Sequence, residues 1–388
     1  MKAIKGRQGY TRNNLLGISA YRSFVPAALD AVLPLLADNE TARLLSSCSR
    51  KVGEVEGMSR FVPNADLYLA MYVRKEALLS SQIEGTQCTL DDVLDPSIAT
   101  ADMREVAEVV NYVAASNYAI ERMGELPLCM RLLREVHGVL LAETRGYDKM
   151  PGELRTSQNW VGPGNSTVAT APYIPPNCED MQVCLSELEQ FMNKEVALDP
   201  IAKAALVHYQ FETIHPFLDG NGRLGRLLIT LLLIEEGVLS KPVIYPSYQL
   251  KLRRTEYYEW LTRVRETGDY EGWVRFFCEC LLASATDACT SMEKLVLLHN
   301  DAQERIVRNI RRGQPNALAL LELLEAHPIV KVSYLAEQLG ISRSTANALK
   351  DEFCKLGILR QRNDGRQRYR TYLYEDYLAI LRDGADPL

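Results

Sequence analysis

The chain has 388 residues, more than one ordinary domain needs, so two or three domains are expected. Its 47% hydrophobic and 24% charged content fits a soluble globular protein, and a net charge of -6 gives no whole-chain case for binding nucleic acid or a membrane. The 9 cysteines form no CxxC pair, which argues against a zinc ribbon or thioredoxin-type site and for reduced thiols in a cytoplasmic protein.

The N-terminus, MKAIKGRQGYTRNNLLG, is basic but has no apolar segment, so no secretory signal is expected. Helical periodicity then dominates. Residues 64–85 read as one amphipathic helix ended by glycine, and residues 104–123, 129–141, 179–194, 199–214 and 254–266 repeat the pattern. Strand-like alternation is scarce. Its main instance is SQNWVGPGNSTVATAPYIPP, residues 157–176, where two short β-prone pieces flank a Gly/Pro/Asn cluster and predict a hairpin. The longest near-apolar run, LLITLLLI, is far shorter than the roughly 20 residues a bilayer span needs.

The pattern changes near Arg311-Arg312-Gly313-Gln314-Pro315. Beyond it come a helix, a helix–turn–helix pivoting at Gly340, and a hairpin turning at Asn363-Asp364-Gly365, the layout of a winged helix. From residue 301 onward there are 14 Lys+Arg against 12 Asp+Glu, a reversal of the acidic balance elsewhere. Arg360, Arg362, Arg366, Arg368 and Arg370 concentrate in the wing, and SRSTANALK would be the recognition helix. The expected division is 1–105, an N-terminal helical domain; 106–300, a helical core; and 301–388, the winged-helix domain.

The chemistry concentrates in HPFLDGNGRLGRLL, beginning at His215. Pro216 disfavours the α region for His215, so a helix ends near Ile214 and His215 stands at its exit, with Phe217 expected to be buried. Asp219, Gly220, Asn221 and Gly222 form a loop, and a second helix starts near Arg223. Unpaired backbone N–H groups at a helix start beside two glycines make an anion site. Arg223 and Arg226 share one face near that positive end and suit a polyphosphate. Asp219 is the natural oxygen ligand for a magnesium ion on those phosphates. His215 can take a proton from an incoming hydroxyl. These residues alone point to transfer of a phosphate-containing group.

HPFLDGNGRLGR resembles the Fic signature HPFxDGNGRxxR at every fixed position, with Arg226 as the final arginine. PGELRTSQNWVG and APYIPP resemble the segment upstream of a Fic motif, and YYEWLTRVRETGDYEGWVRFF the segment downstream, so the likeness runs over roughly residues 20–300. It implies a mostly α fold: a Fic helical core with a β-hairpin flap, an N-terminal helical domain and a C-terminal winged helix-turn-helix domain. It implies transfer of AMP from ATP, with Mg2+, to a Ser, Thr or Tyr hydroxyl of a target protein. His215 would be the base and Asp219 the metal ligand. Gly220, Asn221, Gly222, Arg223, Gly225 and Arg226 would hold the phosphates. Thr170, Ala171, Pro172 and Tyr173 would form the flap, which docks a target segment as an added strand, and Tyr257 would lie near the adenine. Glycine at 222, where the kinase-like Doc branch has lysine, favours AMP transfer.

SSQIEG resembles the family's inhibitory pattern [ST]xxxE[GN], with Ser80, Glu84 and Gly85 in its fixed places. Glu84 would pair with Arg226 and take the place of the γ-phosphate. The alternatives are a DNA-binding regulator whose Fic core senses nucleotide, or an enzyme that both adds and removes AMP. DNA is a possible partner of the winged helix, and a homodimer is possible.

Overall fold

The computed structural model describes residues 6–15, 20–35, 38–61, 65–95, 102–144, 147–362 and 370–387. The chain opens with a hairpin that periodicity does not reveal. Strand β1 (Gly9–Asn14) pairs antiparallel with β2 (Tyr21–Pro26), Gly9 opposite Pro26. Strand β1 is polar and largely exposed, so it carries no alternating signal. Short helix α1 (Leu29–Val32) follows, then α2 (Asn39–Ser59), whose first turn is capped by Asp38 accepting from the Thr41 N–H.

Helix α3 (Ala65–Ile83) ends at Gly85, whose φ of 101° suits glycine. A capping box of Thr89 and Asp92 starts α4 (Leu90–Leu94). Then come α5 (Met103–Met123), α6 (Met130–Leu140), α7 (Cys178–Asn193), α8 (Pro200–Ile214) and α9 (Asn221–Glu235). The short α10 (Ser247–Leu252), α11 (Arg254–Thr267) and the long α12 (Tyr270–Asn309) complete the helical body. The helices expected from periodicity all form, with ends displaced by no more than about two residues.

Helices α8 and α9 are the centre. Helix α8 is buried from Ile201 through Phe211 and α9 from Arg223 through Leu233, on every side. Such helices need a complete jacket. The jacket includes α3, α5 and α6 against α9, and α2, α7, α12 and β2 against α8. Trp273 of α12 is fully buried and donates its indole N–H to the Ala205 carbonyl at 2.7 Å, pinning α12 to α8.

The predicted hairpin over residues 157–176 needs correction. It is reduced to one antiparallel bridge, Val161 with Tyr173, rather than two strands. The segment between them spends its N–H groups on local turns: Ser166 to Pro163, and Thr170 and Ala171 both to Thr167. Pro172, Pro175 and Pro176 have no N–H to donate to a ladder.

Helix α12 passes unbroken through residue 300 and ends at Asn309. Beyond it stand α13 (Gln314–Ala326), β3 (Ile329–Lys331), α14 (Val332–Gln338), α15 (Arg343–Lys355), β4 (Arg360–Gln361), β5 (Thr371–Leu373) and α16 (Glu375–Arg382). Strand β5 lies between β3 and β4 and is antiparallel to both. This helix–strand–helix–helix–strand–strand order is the winged-helix layout. The wing turn at 363–365, with Arg366 and Arg368, lies outside the described residues. Among the described residues no helix is long and apolar enough to cross a membrane.

Candidate active site

His215 is the C-cap of α8 and lies in the left-handed region, φ 51° and ψ 61°. The extended backbone expected for a residue before proline is not adopted. A non-glycine residue there costs on the order of 1–3 kcal/mol and must be held by its surroundings. Three bonds hold it. The buried Arg155 donates its Nε to the His215 carbonyl at 3.0 Å, and Asn159 donates its amide to the same oxygen at 3.1 Å. The Arg155 backbone N–H donates to the Pro216 carbonyl at 3.0 Å. Arg155 also donates to the Pro176 carbonyl, so one side chain ties the base of the flap to the histidine.

The His215 ring points Nδ1 at the Glu212 carbonyl, 3.3 Å away. A proton on Nδ1 leaves the Nε2 lone pair available. Burial, partly countered by the Glu212 carbonyl, lowers the imidazole to about 4, so His215 is neutral at neutral pH. A neutral, oriented imidazole is what a general base requires.

The loop after His215 is braced internally. Asn221 accepts from the Phe217 N–H and donates to the Phe217 carbonyl, both at 2.9 Å. Its side chain is therefore committed to the loop, and its backbone amide is what it can offer an anion. His137 of α6 accepts the Gly152 N–H on Nδ1 at 2.9 Å, which fixes the tautomer, so Nε2–H donates to the Asp219 carbonyl at 3.0 Å. Burial lowers His137 to about 4 and keeps it neutral. Its ring stacks on Phe217, centroids 3.8 Å apart. A side chain on Gly220, φ 75°, would press on His137 and Leu141. The first α9 bond joins the Leu224 N–H to the Gly220 carbonyl, so the amides of Asn221, Gly222 and Arg223 face out of the helix end.

Arg226 lies on the floor of this cradle, 1% exposed. It donates Nε to the Ser80 hydroxyl and an Nη2 proton to the Ser80 carbonyl, both at 2.9 Å, and Nη2 to Glu84 Oε1 at 2.7 Å. Burial opposes charge on both partners. Their mutual attraction wins, holding Arg226 above its usual range and Glu84 below the usual carboxylate range. The Glu84 carboxylate lies over the helix start: a Cβ on Gly222 would meet Oε1 at 2.1 Å. The site thus contains an anion already, and it is a side chain of this protein. Arg223 is buried too, with Nη1 3.8 Å from Glu108 and Nη2 3.9 Å from Asp219, and its Nε and Nη1 have no hydrogen-bond partner. Such orphaned donors fit a phosphate.

Tyr257 requires correction as an adenine contact. It is fully buried, and its hydroxyl bonds to His208 Nε2 at 3.0 Å while His208 Nδ1 bonds the Gly225 carbonyl at 2.8 Å. It braces α9 from the core. Tyr258, the next residue, is 38% exposed and is the ring on the cleft side. Tyr173 is buried, its hydroxyl on the Thr213 carbonyl and its ring under Arg265 at 3.9 Å, whereas Thr170 and Pro172 are exposed. Sequence reasoning also missed Arg155, Asn159, Glu212 and Tyr258, although the first two stand in PGELRTSQNWVG and Tyr258 in YYEWLTRVRETGDYEGWVRFF, stretches already singled out. Glu212 lies beside Gly225 with one oxygen unpartnered, and burial raises it to about 7.

Arg155→Leu should lower stability by about 3–5 kcal/mol in urea denaturation, because several buried carbonyls lose a charged donor. A loss under about 1 kcal/mol would contradict its role as clamp.

Residues 42–121 match the Fic/DOC family N-terminal description and residues 127–233 the Fic/DOC family description. The chain is 34% identical over 241 residues to "Protein adenylyltransferase Fic" of Drosophila willistoni, covering 58% of this chain and 45% of that protein. Against the protein of the same name from Drosophila melanogaster it is 33% identical over 184 residues, covering 45% and 34%. The chain therefore matches less than half the length of these relatives. A Fic family protein from Desulfovibrio desulfuricans G20 shares the fold at a TM-score of 0.54 and 21% identity, over 88% of this chain and 97% of that one. The two matches adjoin between residues 121 and 127, and the complete motif on α8 and α9 lies within the second, so residues 42–233 of this chain are similar to the Fic/DOC family.

Proposed function

We propose that this chain is a protein adenylyltransferase that Glu84 holds inactive. The observation that carries the reading is the Glu84 carboxylate lying in the cradle over Gly222, bonded to Arg226. With that carboxylate withdrawn, the α9 amides and the unpartnered donors of Arg223 would bind the inner phosphates, and Arg226 the γ-phosphate. His215 Nε2 would take the proton from a target Ser, Thr or Tyr hydroxyl. The hydroxyl oxygen would bond to the α-phosphorus as the bond to pyrophosphate breaks, and pyrophosphate leaves. The half-exposed carboxylate of Asp219 fits a magnesium ion that shares its remaining ligands with phosphate and water, and the ion would offset phosphate charge. Among the described residues no group of three or more His, Cys, Asp or Glu could hold a metal on its own. A target strand would dock along the flap at Thr170 to Tyr173, with the base near Tyr258. This accounts for the family's protein-modifying name in the Drosophila relatives.

Glu84→Gly should raise incorporation of label from α-labelled ATP about fivefold or more, the low end of ordinary coupling between sites. His215→Ala should lower it by about 10²–10⁴-fold. No gain with Glu84→Gly would sink the autoinhibition.

The pH profile tests the base. Because burial holds His215 near 4, and Glu84 is among the groups raising it, kcat/KM of the Glu84→Gly chain should stay level as pH falls through 6.5. It should drop only near or below about 4. An inflection between 6 and 7 contradicts a buried neutral base.

The winged-helix unit supports a second reading, placement on DNA. Helix α15 exposes Arg343, Ser344, Thr345 and Asn347, residue types that read groove edges and phosphates. A gel shift of the full chain with duplex DNA should appear at low salt and weaken steeply as salt rises. Absence of a shift at low salt rules this reading out.

A further inference from the structure

Helix α3 has two working faces. One carries Ser80 toward Arg226, with Glu84 just beyond the helix end. The other is occupied by polar groups that the proposed reaction does not use. Gln82 is 1% exposed, lies two residues before Glu84, and makes three bonds. Its amide nitrogen donates to the Cys88 carbonyl at 2.9 Å, closing the loop that carries Glu84. The same nitrogen donates to the Ala385 carbonyl at 2.9 Å, a bond spanning 303 positions of the chain. Its oxygen accepts from Lys251 Nζ of α10 at 2.7 Å. Lys251, itself buried, donates further to the Gly384 carbonyl at 3.2 Å and to the Asp386 carbonyl.

We propose that α3 and α10 form a peptide-binding site for backbone carbonyls, occupied by this chain's own segment 384–386, and that occupancy locks Glu84 onto Arg226. The ligand chemistry is explicit: Gln82 and Lys251 present donors, and the carbonyls of three successive residues accept them. Two buried polar side chains would lose partners if the segment left, at a cost that tightens the lock while it stays. The seat is closely shaped. Gly384, φ 70°, lies against the Tyr248 ring, where a Cβ would meet Cε2 at 1.9 Å. Lys75 of α3 sits over the same ring at 5.4 Å, so segment and inhibitory helix share one aromatic wall. Just upstream, Arg382 grips Asp91 of α4 through two bonds at 2.8 and 2.9 Å. The segment follows α16 directly, so a load on the winged-helix unit pulls on it. Displacing the segment frees the back of α3, lets residues 80–86 fray, and releases Glu84 from the cradle. The gate would then open from the winged-helix side without any contact to ATP.

The inference rests on the autoinhibition reading, and the test separates the two. In the full chain, Gly384→Val drives the segment off Tyr248 without touching the cradle. Labelled AMP incorporation should rise about fivefold or more, amide hydrogen exchange at residues 80–86 should quicken, and adding Glu84→Gly should give no further gain. If Glu84→Gly alone is active while Gly384→Val changes neither incorporation nor exchange, the peptide lock is overturned and autoinhibition stands. If Glu84→Gly gives no incorporation, autoinhibition fails, and exchange alone judges the lock: quickened exchange upholds it, unchanged exchange overturns it. Should Gly384→Val lose its cooperative melt, Arg382→Ala replaces it. That substitution removes a partly exposed ion pair and should move both readouts in the same direction, and no movement in either overturns the proposal.

Discussion

A guanidinium buried on every side must be paired, and Arg226 organises this protein around that requirement. It sits on a helix that is otherwise core, 1% exposed, where an unpaired charge would cost several kcal/mol. Ser80 supplies a hydroxyl and a carbonyl, and Glu84 supplies the countercharge. The Ser80 bonds go to neutral acceptors. The Glu84 bond is the one at the edge, because its side chain is 41% exposed and reaches in from the end of a helix. An anionic phosphate satisfies the same need. Under the proposed function, competition between the two would follow from burying one charge and leaving its partner at the mouth.

The geometry of the candidate site depends on a second constraint, the left-handed turn at His215. That turn sends the chain back so that α9 starts beside the imidazole. It persists because Arg155 and Asn159 converge on one carbonyl oxygen, and because Asn221 staples the loop to Phe217 from the other side. Two neutral buried histidines, His137 and His208, hold the Asp219 and Gly225 carbonyls. The polar residues around the cleft therefore divide into those that hold backbone and those that face it.

This division explains where reading the chain succeeded and where it missed. The helix ends around the motif were legible because His215-Pro216 and the glycines at 220 and 222 limit backbone choices locally. The burial of Phe217 was legible for the same reason. The roles of neighbouring aromatic residues were not: Tyr257 and Tyr258 differ by about 100° around α11, and one turned to the core while the other faced the cleft. The flap looked like a ladder in composition, yet its prolines and internal turns left one bridge.

By itself the sequence pointed to the mostly helical class, to the helix start after His215 as a candidate anion cradle, to His215 as a candidate base, and, through its likeness to Fic proteins, to a pairing of Glu84 with Arg226 across 142 positions. These are properties of local backbone limits and of a dense motif. Only the tertiary structure decided that Glu84 lies directly over Gly222, that Asn221 serves the loop, that Arg155 holds the histidine, and that segment 384–386 seats against α3. Apart from Asn221, which bonds Phe217 four residues away, each of those facts pairs a polar side chain with a backbone group far away in the chain. A carbonyl oxygen is the same in every residue, so such partners leave no trace in residue type and are chosen only when the packed helices bring them within reach.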